Sequence, residues 1–514
     1  MNNKYVKDMT TGSPTKLLLS FALPLVVGNI FQQFYSMVDS VIVGRFVGAD
    51  ALAAVGATGS INFLFFSLCF GMGSGIGIVI SQHFGAGDEL SVKKAIINAV
   101  YIMSACGIVM GLLGFALARP ILVFLHTPSN ILADSVLYMK IICAGTICVA
   151  IYNCISSILR GIGDSKSPLY FLIMSSIINV GLDLFFVRVL HMGVAGVAYA
   201  TIISQLISGL SCIAFAFRKN PMFKFGREHM HYDRVIVSKC VRIGVPLAFQ
   251  TSLIAISCVA LQSVVNTFGS VVVAAFTATS RIDSLVQQPF NSLAMATSTY
   301  TGQNIGAKKY DRVKLGFKRA YLMMAVVSLL MIPVAQFFGE NIVALFVDDA
   351  DVITLGGKAL KITSFFYLAL GTIYVTRGLL NGASDARYAF MNGIVEMIGR
   401  ICFAKPLTMI PFIGVWGVWL TTAFTWLITG ILGLLRYKSG VWRYTAEKKQ
   451  AEDAGPGEVK QAEAMLTEES EDLSDDVNRQ YMDESDDKER KGASGMLNLI
   501  ARITHIGMKR AKAS

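Results

Sequence analysis

The sequence has few charged residues and no motif that binds a nucleotide or a metal. Charged side chains make up 15% of its 514 residues and hydrophobic ones 54%, which is typical of a membrane protein and not of a soluble one. No GxxxxGK[ST] sequence occurs, so the chain has no P-loop ATPase of its own. Its nine cysteines and six histidines form no cluster with metal-ligand spacing. We predict a membrane protein that is not an enzyme and holds no cofactor.

Apolar runs long enough to cross a bilayer recur along the chain. A helix needs about 20 apolar residues to span about 30 Å of hydrocarbon. We predict an all-α membrane protein with twelve transmembrane helices. They are placed at residues 16–44, 52–82, 94–118, 131–159, 168–189, 194–217, 240–267, 272–301, 317–338, 353–380, 388–411 and 414–437.

The chain contains an internal repeat with a constant shift of 221 residues. LRGIGDSK (159–166) returns as LNGASDAR (380–387), and GVAGVAYAT (193–201) returns as GVWGVWLTT (414–422). Gln82 and the Gly-Ala pair that follows it return at Gln303 with the same shift. A repeat of this size in a membrane protein indicates a transporter whose site lies between two halves. With six crossings per repeat, the halves share one topology and are expected to be related by an axis along the membrane normal.

Basic residues concentrate in alternate loops, which predicts the orientation. The loops after the second, fourth, sixth and eighth spans hold most of them, so these loops and both termini are predicted to be cytoplasmic. The predicted parts are an N-terminal bundle (1–217), a cytoplasmic linker (218–239), a C-terminal bundle (240–440) and a tail (441–514). The net charge of +11 reflects this anchoring and not nucleic-acid binding.

The tail has a composition unlike the rest of the chain. Residues 447–491 are rich in acids and serine, which predicts disorder. After Gly492, apolar residues follow helical spacing beside basic ones. That pattern is typical of a short amphipathic helix on the inner leaflet, although a frayed helix without function has the same pattern.

Four acids fall within predicted spans, where each costs several kcal/mol and needs a reason. Asp39 has no cation at helical spacing, because Arg45 is six residues on and on another face. Asp183 follows Asn179 by four residues, which puts both on one helix face. These two acids are predicted to stay neutral or to hold a cation. The alternative for any such acid is a structural polar contact that fixes helix packing.

The other two acids have arginines nearby in sequence. Asp283 is two residues from Arg281, a spacing that does not put both on one helix face unless the helix is kinked. Glu396 and Arg400 are four residues apart and are predicted to pair directly. This C-terminal polar site is therefore either functional or a buried structural ion pair.

The run PLVVGNIFQQFYSMVDSVIVGRFVGADALAAVG (24–56) is similar to the first helix and loop of multidrug and toxic compound extrusion (MATE) transporters. The segments SQHFGAGD, ILRGIGDSKSP, IINVGLD, TSRIDSLVQQP and GQNIGAKKYDRV also resemble this family, in the same order. The resemblance covers about residues 10 to 440. It implies twelve helices in two six-helix bundles with a central cleft. It also implies export of organic, often cationic, compounds against inward flow of H⁺ or Na⁺.

The resemblance also implies an ion-coupling site in the first bundle. Its positions here are Asp39, Asn179, Asp183 and Thr201, with Tyr138 near another family contact. A bound Na⁺ at Asp39 and Asp183 is the one metal ion that it allows. The seventh span has no acid, unlike that of some members, while Glu396 resembles an acidic position seen in others. A second ion site in the C-terminal bundle stays open.

We therefore expect a cation-coupled multidrug exporter that works by rocking-bundle alternating access. Its expected setting is the cell (inner) membrane, as a monomer in contact with the lipid bilayer and with small organic substrates. Two alternatives remain: a flippase for lipid-linked sugars, and a membrane sensor or scaffold that transports nothing. A flippase cleft needs many basic residues for pyrophosphate, whereas only Arg281 and Arg400 were found well inside the spans.

Overall fold

Long helices make up most of the structure. A computed structural model of the protein describes residues 6–454, and no strand occurs among them. The helices are α1 (Pro14–Ile42), α2 (Ala49–Gly85), α3 (Glu89–Phe124), α4 (Ser129–Ala144), α5 (Thr146–Gly161), α6 (Lys166–Leu184), α7 (Gly193–Lys219), α8 (Arg234–Val265), α9 (Ser270–Gly306), α10 (Tyr310–Ala344), α11 (Ala350–Ser364), α12 (Tyr367–Gly382), α13 (Ala386–Met409), α14 (Gly417–Lys438) and α15 (Val441–Ala454). The fold class predicted from the sequence, an all-α membrane protein, is confirmed.

Most of these helices are apolar enough to cross a membrane. Within residues 6–454, eight pass by length and hydropathy alone, and the bent pairs α4–α5 and α11–α12 bring the number to ten. The eighth and eleventh predicted spans correspond to α9 and α13, which are long but more polar. They tolerate this polarity because much of it faces protein, as with the buried Gln303 of α9 and the buried Glu396 of α13.

The backbone repeats with the same shift as the sequence. The bends between α4 and α5 (45°) and between α11 and α12 (54°) occupy equivalent places in the two halves. Gly48 and Gly269 precede α2 and α9 with positive φ angles of 125° and 88°, a backbone region that glycine enters without steric cost. The two halves are therefore built alike.

Reciprocal hydrogen bonds join the halves. Gln82 on α2 donates from Nε2 to the carbonyl oxygen of Gly382 at 3.0 Å, and its repeat mate Gln303 on α9 donates to that of Gly161 at 3.1 Å. Gly161 and Gly382 are themselves 221 residues apart. Contacts exchanged in this way are the signature of a two-fold relation. These residues lie at the end of the bundles that carries the basic loops, which we call the basic-loop end.

Contacts between the halves continue toward the middle of the helices. Ser67 on α2 and Ser252 on α8 are joined by a hydrogen bond between their hydroxyls at 2.6 Å. Asn29 on α1 donates to Ser292 on α9 at 3.1 Å. The structure is therefore closed from about mid-helix to the basic-loop end.

The segment before α1 lies across this closed end. The Met9 amide donates to Gln303 Oε1 at 2.8 Å, and Asn304 Nδ2 donates to the Met9 carbonyl at 3.1 Å. Those two partners of Met9 belong to the C-terminal half. Two residues earlier, the Lys7 amide donates to the carbonyl of Ile162 in the N-terminal half at 3.3 Å. Met9 is fully buried. The segment thus binds both halves at once.

Among the described residues, those from 435 to 454 belong to a separate compact unit. Its helix α15 continues to Ala454, which differs from the disorder predicted from residue 447. An ion pair between Arg443 and Glu447 at 2.8 Å, one helical turn apart, favours helix here. The rest of the predicted tail, with its amphipathic helix after Gly492, lies outside the described residues.

Candidate functional site

Two acids from different helices meet in the N-terminal half. The carboxyl groups of Asp39 on α1 and Asp183 on α6 lie close enough to interact electrostatically. Asp183 is fully buried and Asp39 is partly buried. Two carboxylates at such a separation repel each other, which favours a proton or a cation between them. The structure thus brings together the two acids that the sequence singled out.

The polar atoms around this pair lack partners. Within residues 6–454, several buried atoms at this site have no hydrogen-bond partner. They are Asp39 Oδ1, both carboxylate oxygens of Asp183, and the oxygen and nitrogen of the Asn179 amide. Buried polar groups in folded proteins are nearly always satisfied, so a cluster of exceptions indicates a group that binds there. Carboxylate and amide oxygens are the ligands that hard cations prefer. The same oxygens can hold a proton instead.

Two tyrosines complete the surroundings of the acids. Tyr35 and Tyr138 both lie within electrostatic range of Asp39 and Asp183. The sequence predicts Tyr138 near this site. Tyr35 was not predicted, although it lies one helical turn before Asp39 and on the same helix face. Thr201 lies on α7, which packs against α6, and its hydroxyl donates to the Val197 carbonyl of its own helix at 3.1 Å.

A wider helical turn follows each of the two acids. Val43–Val47 extends α1 and Phe185–Val189 extends α6, both as π-helical turns. Such turns are rare and often mark functional sites. The arginine of the second turn, Arg188, stacks over the Phe46 ring at 5.8 Å. Within the described residues no cation forms an ion pair with Asp39 or Asp183.

Asp283 and Arg281, the two site residues predicted on α9, make different contacts. Asp283 accepts a hydrogen bond from the Tyr367 hydroxyl at 3.1 Å. Arg281 is exposed and makes no ion pair with Asp283 among the described residues. The structure does not bring these two residues together, because a spacing of two puts them on different sides of the helix.

Glu396 lies between two arginines. Its predicted partner, Arg400, is present with Nη2 at 3.7 Å from Glu396 Oε2. A second arginine, Arg377 on α12, makes the closer contact with the other carboxylate oxygen. Arg377 lies near the end of the predicted span 353–380 and is therefore not one of the arginines predicted to lie well inside the spans.

Amide groups extend this cluster to a third helix. Asn392 Oδ1 accepts from Arg377 Nη2 and from Gln250 Nε2 on α8, both at 2.7 Å. Arg400 donates from Nη1 to the Ser257 hydroxyl at 2.6 Å. The cluster therefore joins α8, α12 and α13, and such a network of buried contacts stabilises the packing of these helices.

A cavity of about 230 Å³ lies between the two halves near the closed end. It is lined by α2, α5, α8, α9 and α12, and its charged lining residues are Arg160 and Arg377. Within residues 6–454 no group of three His, Cys, Asp or Glu side chains could hold a metal ion.

Comparisons with known proteins agree on one family. The sequence model of the MatE family matches residues 24–185 and 246–404, one stretch in each repeat. The probable multidrug resistance protein YpnP of Bacillus subtilis is 29% identical over 440 residues, covering 85% of this chain and 97% of that protein. A protein of Shewanella oneidensis named FAD transporter is 24% identical, covering 81% and 92%. An outward-facing structure of a MATE family multidrug resistance transporter superposes with a TM-score of 0.81 at 22% identity, covering 86% and 99%.

Proposed function

Because the chain belongs to the MATE family of multidrug efflux transporters, we propose that it exports organic compounds, chiefly cations, in exchange for H⁺ or Na⁺. The proposed coupling site is the carboxyl pair of Asp39 and Asp183 with Asn179 beside it. Tyr35 and Tyr138 lie within electrostatic range of this pair. We orient the chain with the basic loops and both termini in the cytoplasm.

The observation that carries the proposal is the carboxyl pair without a counter-cation. An entering proton or Na⁺ removes the repulsion between Asp39 and Asp183, so α1 and α6 pack more closely when the ion is bound. When the ion leaves, the site regains negative charge and attracts an organic cation. The ion and the substrate thus compete for the same negatively charged site, and this competition is what exchange requires.

The interface between the two halves is where the proposed movement takes place. α1 and α2 of one half pack against α8 and α9 of the other, and the closed side holds the reciprocal glutamine bonds. Rocking the halves about this interface would open the basic-loop end and close the opposite one. A charge that crosses 100 mV contributes about 2.3 kcal/mol, which corresponds to a concentration ratio of about fifty-fold per ion.

Dye efflux from energised vesicles tests the proposal. Purified protein is reconstituted in liposomes loaded with ethidium, and inward gradients of H⁺ and Na⁺ are imposed separately. We expect one of these gradients to drive efflux in the wild type. Asp39→Asn and Asp183→Asn are expected to remove this dependence, because an amide keeps the size of the side chain but carries no charge and does not titrate.

A matched acid serves as the control. Asp134 on α4 is exposed, so Asp134→Asn is expected to leave gradient-driven efflux unchanged. Size-exclusion profiles show that each variant is folded. Normal coupled efflux in both Asp39→Asn and Asp183→Asn would rule out this pair as the coupling site, and no response of the wild type to either gradient would rule out ion exchange altogether.

A further inference from the structure

The cavity between the halves has a positively charged lining. Its residues come from both repeats, with Ser157 and Arg160 of α5 on one side and Tyr374, Arg377 and Asn381 of α12 on the other. No lining residue is acidic, and the rest of the polar lining consists of hydroxyl and amide groups. A partly open cavity with this polar lining favours an anion that also accepts several hydrogen bonds.

Arg160 has no carboxylate partner. Its Nη2 donates to the Ser157 hydroxyl at 2.9 Å, and within residues 6–454 it makes no ion pair. Arg160 is partly buried. An arginine keeps its charge, so one that is partly removed from water without a carboxylate partner favours binding of an anion. The repeat mate of Arg160 is Asn381, whose Oδ1 is also buried without a donor.

Arg377 is only partly neutralised. It shares the single negative charge of Glu396 with Arg400, so this group keeps a net positive charge. The Nε atom of Arg377 is buried and has no acceptor among the described residues. One donor of this guanidinium group therefore remains available on a residue that lines the cavity.

We propose that this cavity binds an oxyanion, and specifically the phosphate group of an organic substrate. Arg160 from one half and Arg377 from the other donate charge-assisted hydrogen bonds to it, since guanidinium groups pair well with phosphate oxygens. Asn381 lines the same cavity. The inference rests on the proposed transport function and adds to it a substrate class beyond organic cations. Because the ligands come from both halves, bound phosphate holds the basic-loop end closed.

A matched pair of probes tests the phosphate requirement. Full-length protein is placed in nanodiscs of phosphatidylcholine, and the fluorescence of 1-naphthyl phosphate and of 1-naphthol is titrated against it, with empty nanodiscs as the blank. We expect saturable binding of the phosphate ester that exceeds that of the alcohol. Equal or weaker binding of the ester would overturn the proposal.

Two substitutions in the cavity sharpen the result. Arg160→Gln is expected to weaken binding of 1-naphthyl phosphate by about ten- to a hundredfold, the range for losing a charged hydrogen-bond donor. Asn381→Asp keeps the size of the side chain but adds a negative charge, and is expected to weaken it as well. Arg218 at the exposed end of α7 provides the control, since Arg218→Gln removes a charge outside the cavity. Unchanged binding in Asn381→Asp would contradict the proposal even if Arg160→Gln failed to fold.

Competition identifies the source of the phosphate. Soluble glycerol phosphate and dioctanoyl phosphatidic acid are each added to the protein with bound 1-naphthyl phosphate. Stronger displacement by the lipid assigns the site to a lipid headgroup, and stronger displacement by glycerol phosphate assigns it to a soluble organic phosphate. Displacement by neither overturns the proposal. Ethidium efflux by the wild type is measured in parallel, so failure of ion-driven transport is seen separately from failure of this site.

Discussion

At the scale of single residues, Glu396 contacts two arginines in the C-terminal half. Arg377 binds one of its oxygens closely and Arg400 lies 3.7 Å from the other. All three side chains are largely buried. Removing Arg377 takes away the close partner and leaves the buried carboxylate with only the longer contact to Arg400, which costs stability in a low-dielectric interior.

We expect Arg377→Ala to lower the free energy of unfolding by about 3–5 kcal/mol, the range for breaking a buried pair. Arg400→Ala is expected to cost less, because its contact with Glu396 is longer. Thermal unfolding in detergent, followed by size exclusion, measures both. The double variant Arg377→Ala with Glu396→Gln also takes the carboxylate away from Arg400, so we expect it to be no more stable than Arg377→Ala alone. An unchanged melting temperature in Arg377→Ala would show that the ion pair between Arg377 and Glu396 does not stabilise the fold.

At the scale of helices, α2 and α9 cross most closely at two glycines that are repeat mates. A Cβ atom on Gly85 would lie 1.9 Å from the Gln303 carbonyl oxygen, and one on Gly306 would lie 1.9 Å from that of Gln82. Both distances are far below van der Waals contact, and the obstacle in each case is backbone. The crossing therefore cannot accept even a methyl group while the basic-loop end stays closed.

Gly85→Ala and Gly306→Ala are expected to favour the conformation open at the basic-loop end. The readout is Ser298→Cys, placed in the cavity lining and labelled by an impermeant maleimide from that side, with labelling of the parent chain's own cysteines subtracted. Gly56→Ala on α2 is the control, because nothing lies within 4 Å of its Cβ position. Faster labelling in the Gly85 and Gly306 variants but not in Gly56→Ala is the expected result, and equal rates in all three would contradict it.

At the scale of the whole molecule, transport requires the two halves to separate where they now touch. Ser67 and Ser252 meet between α2 and α8 with their oxygens 2.6 Å apart. Cysteines in these places would have Cβ atoms close enough for a disulfide, which needs about 3.5–4.5 Å. A covalent bond there joins the halves in the closed state.

Ser67→Cys combined with Ser252→Cys is therefore expected to stop efflux after oxidation and to recover it after reduction. Ethidium efflux from liposomes is the measurement. The two single variants and the parent chain receive the same oxidant, which accounts for the nine native cysteines. Full efflux from a chain shown by mass spectrometry to be cross-linked would mean that the halves do not move apart at this point.

The tail lies outside both repeats, and the matched family segments end at residue 404. We expect removal of residues 455–514 to leave efflux within about twofold of the full chain, since no residue proposed for coupling or binding is lost. Transport rates per purified protein are compared in liposomes. Loss of transport by a truncated chain that still elutes as a single folded species would assign the tail a role in the transport cycle.

The sequence by itself determined the class, the repeat and the acids of interest. Hydrophobic length and the shift of 221 residues are properties of the chain alone, and they indicated two equivalent helical bundles. Local spacing also placed Asn179 on one face with Asp183 and Glu396 on one face with Arg400. These inferences hold because they depend on helix periodicity, which acts over a few residues.

Only the tertiary structure decided which helices bring their side chains together. Asp39 and Asp183 are 144 positions apart, and their meeting depends on how α1 packs on α6. The same holds for Arg377 with Glu396, for the bonds exchanged by Gln82 and Gln303, and for the cavity lined by Arg160. Contacts between helices follow from packing of whole faces and from helix bends, and sequence spacing carries no information on which distant faces meet.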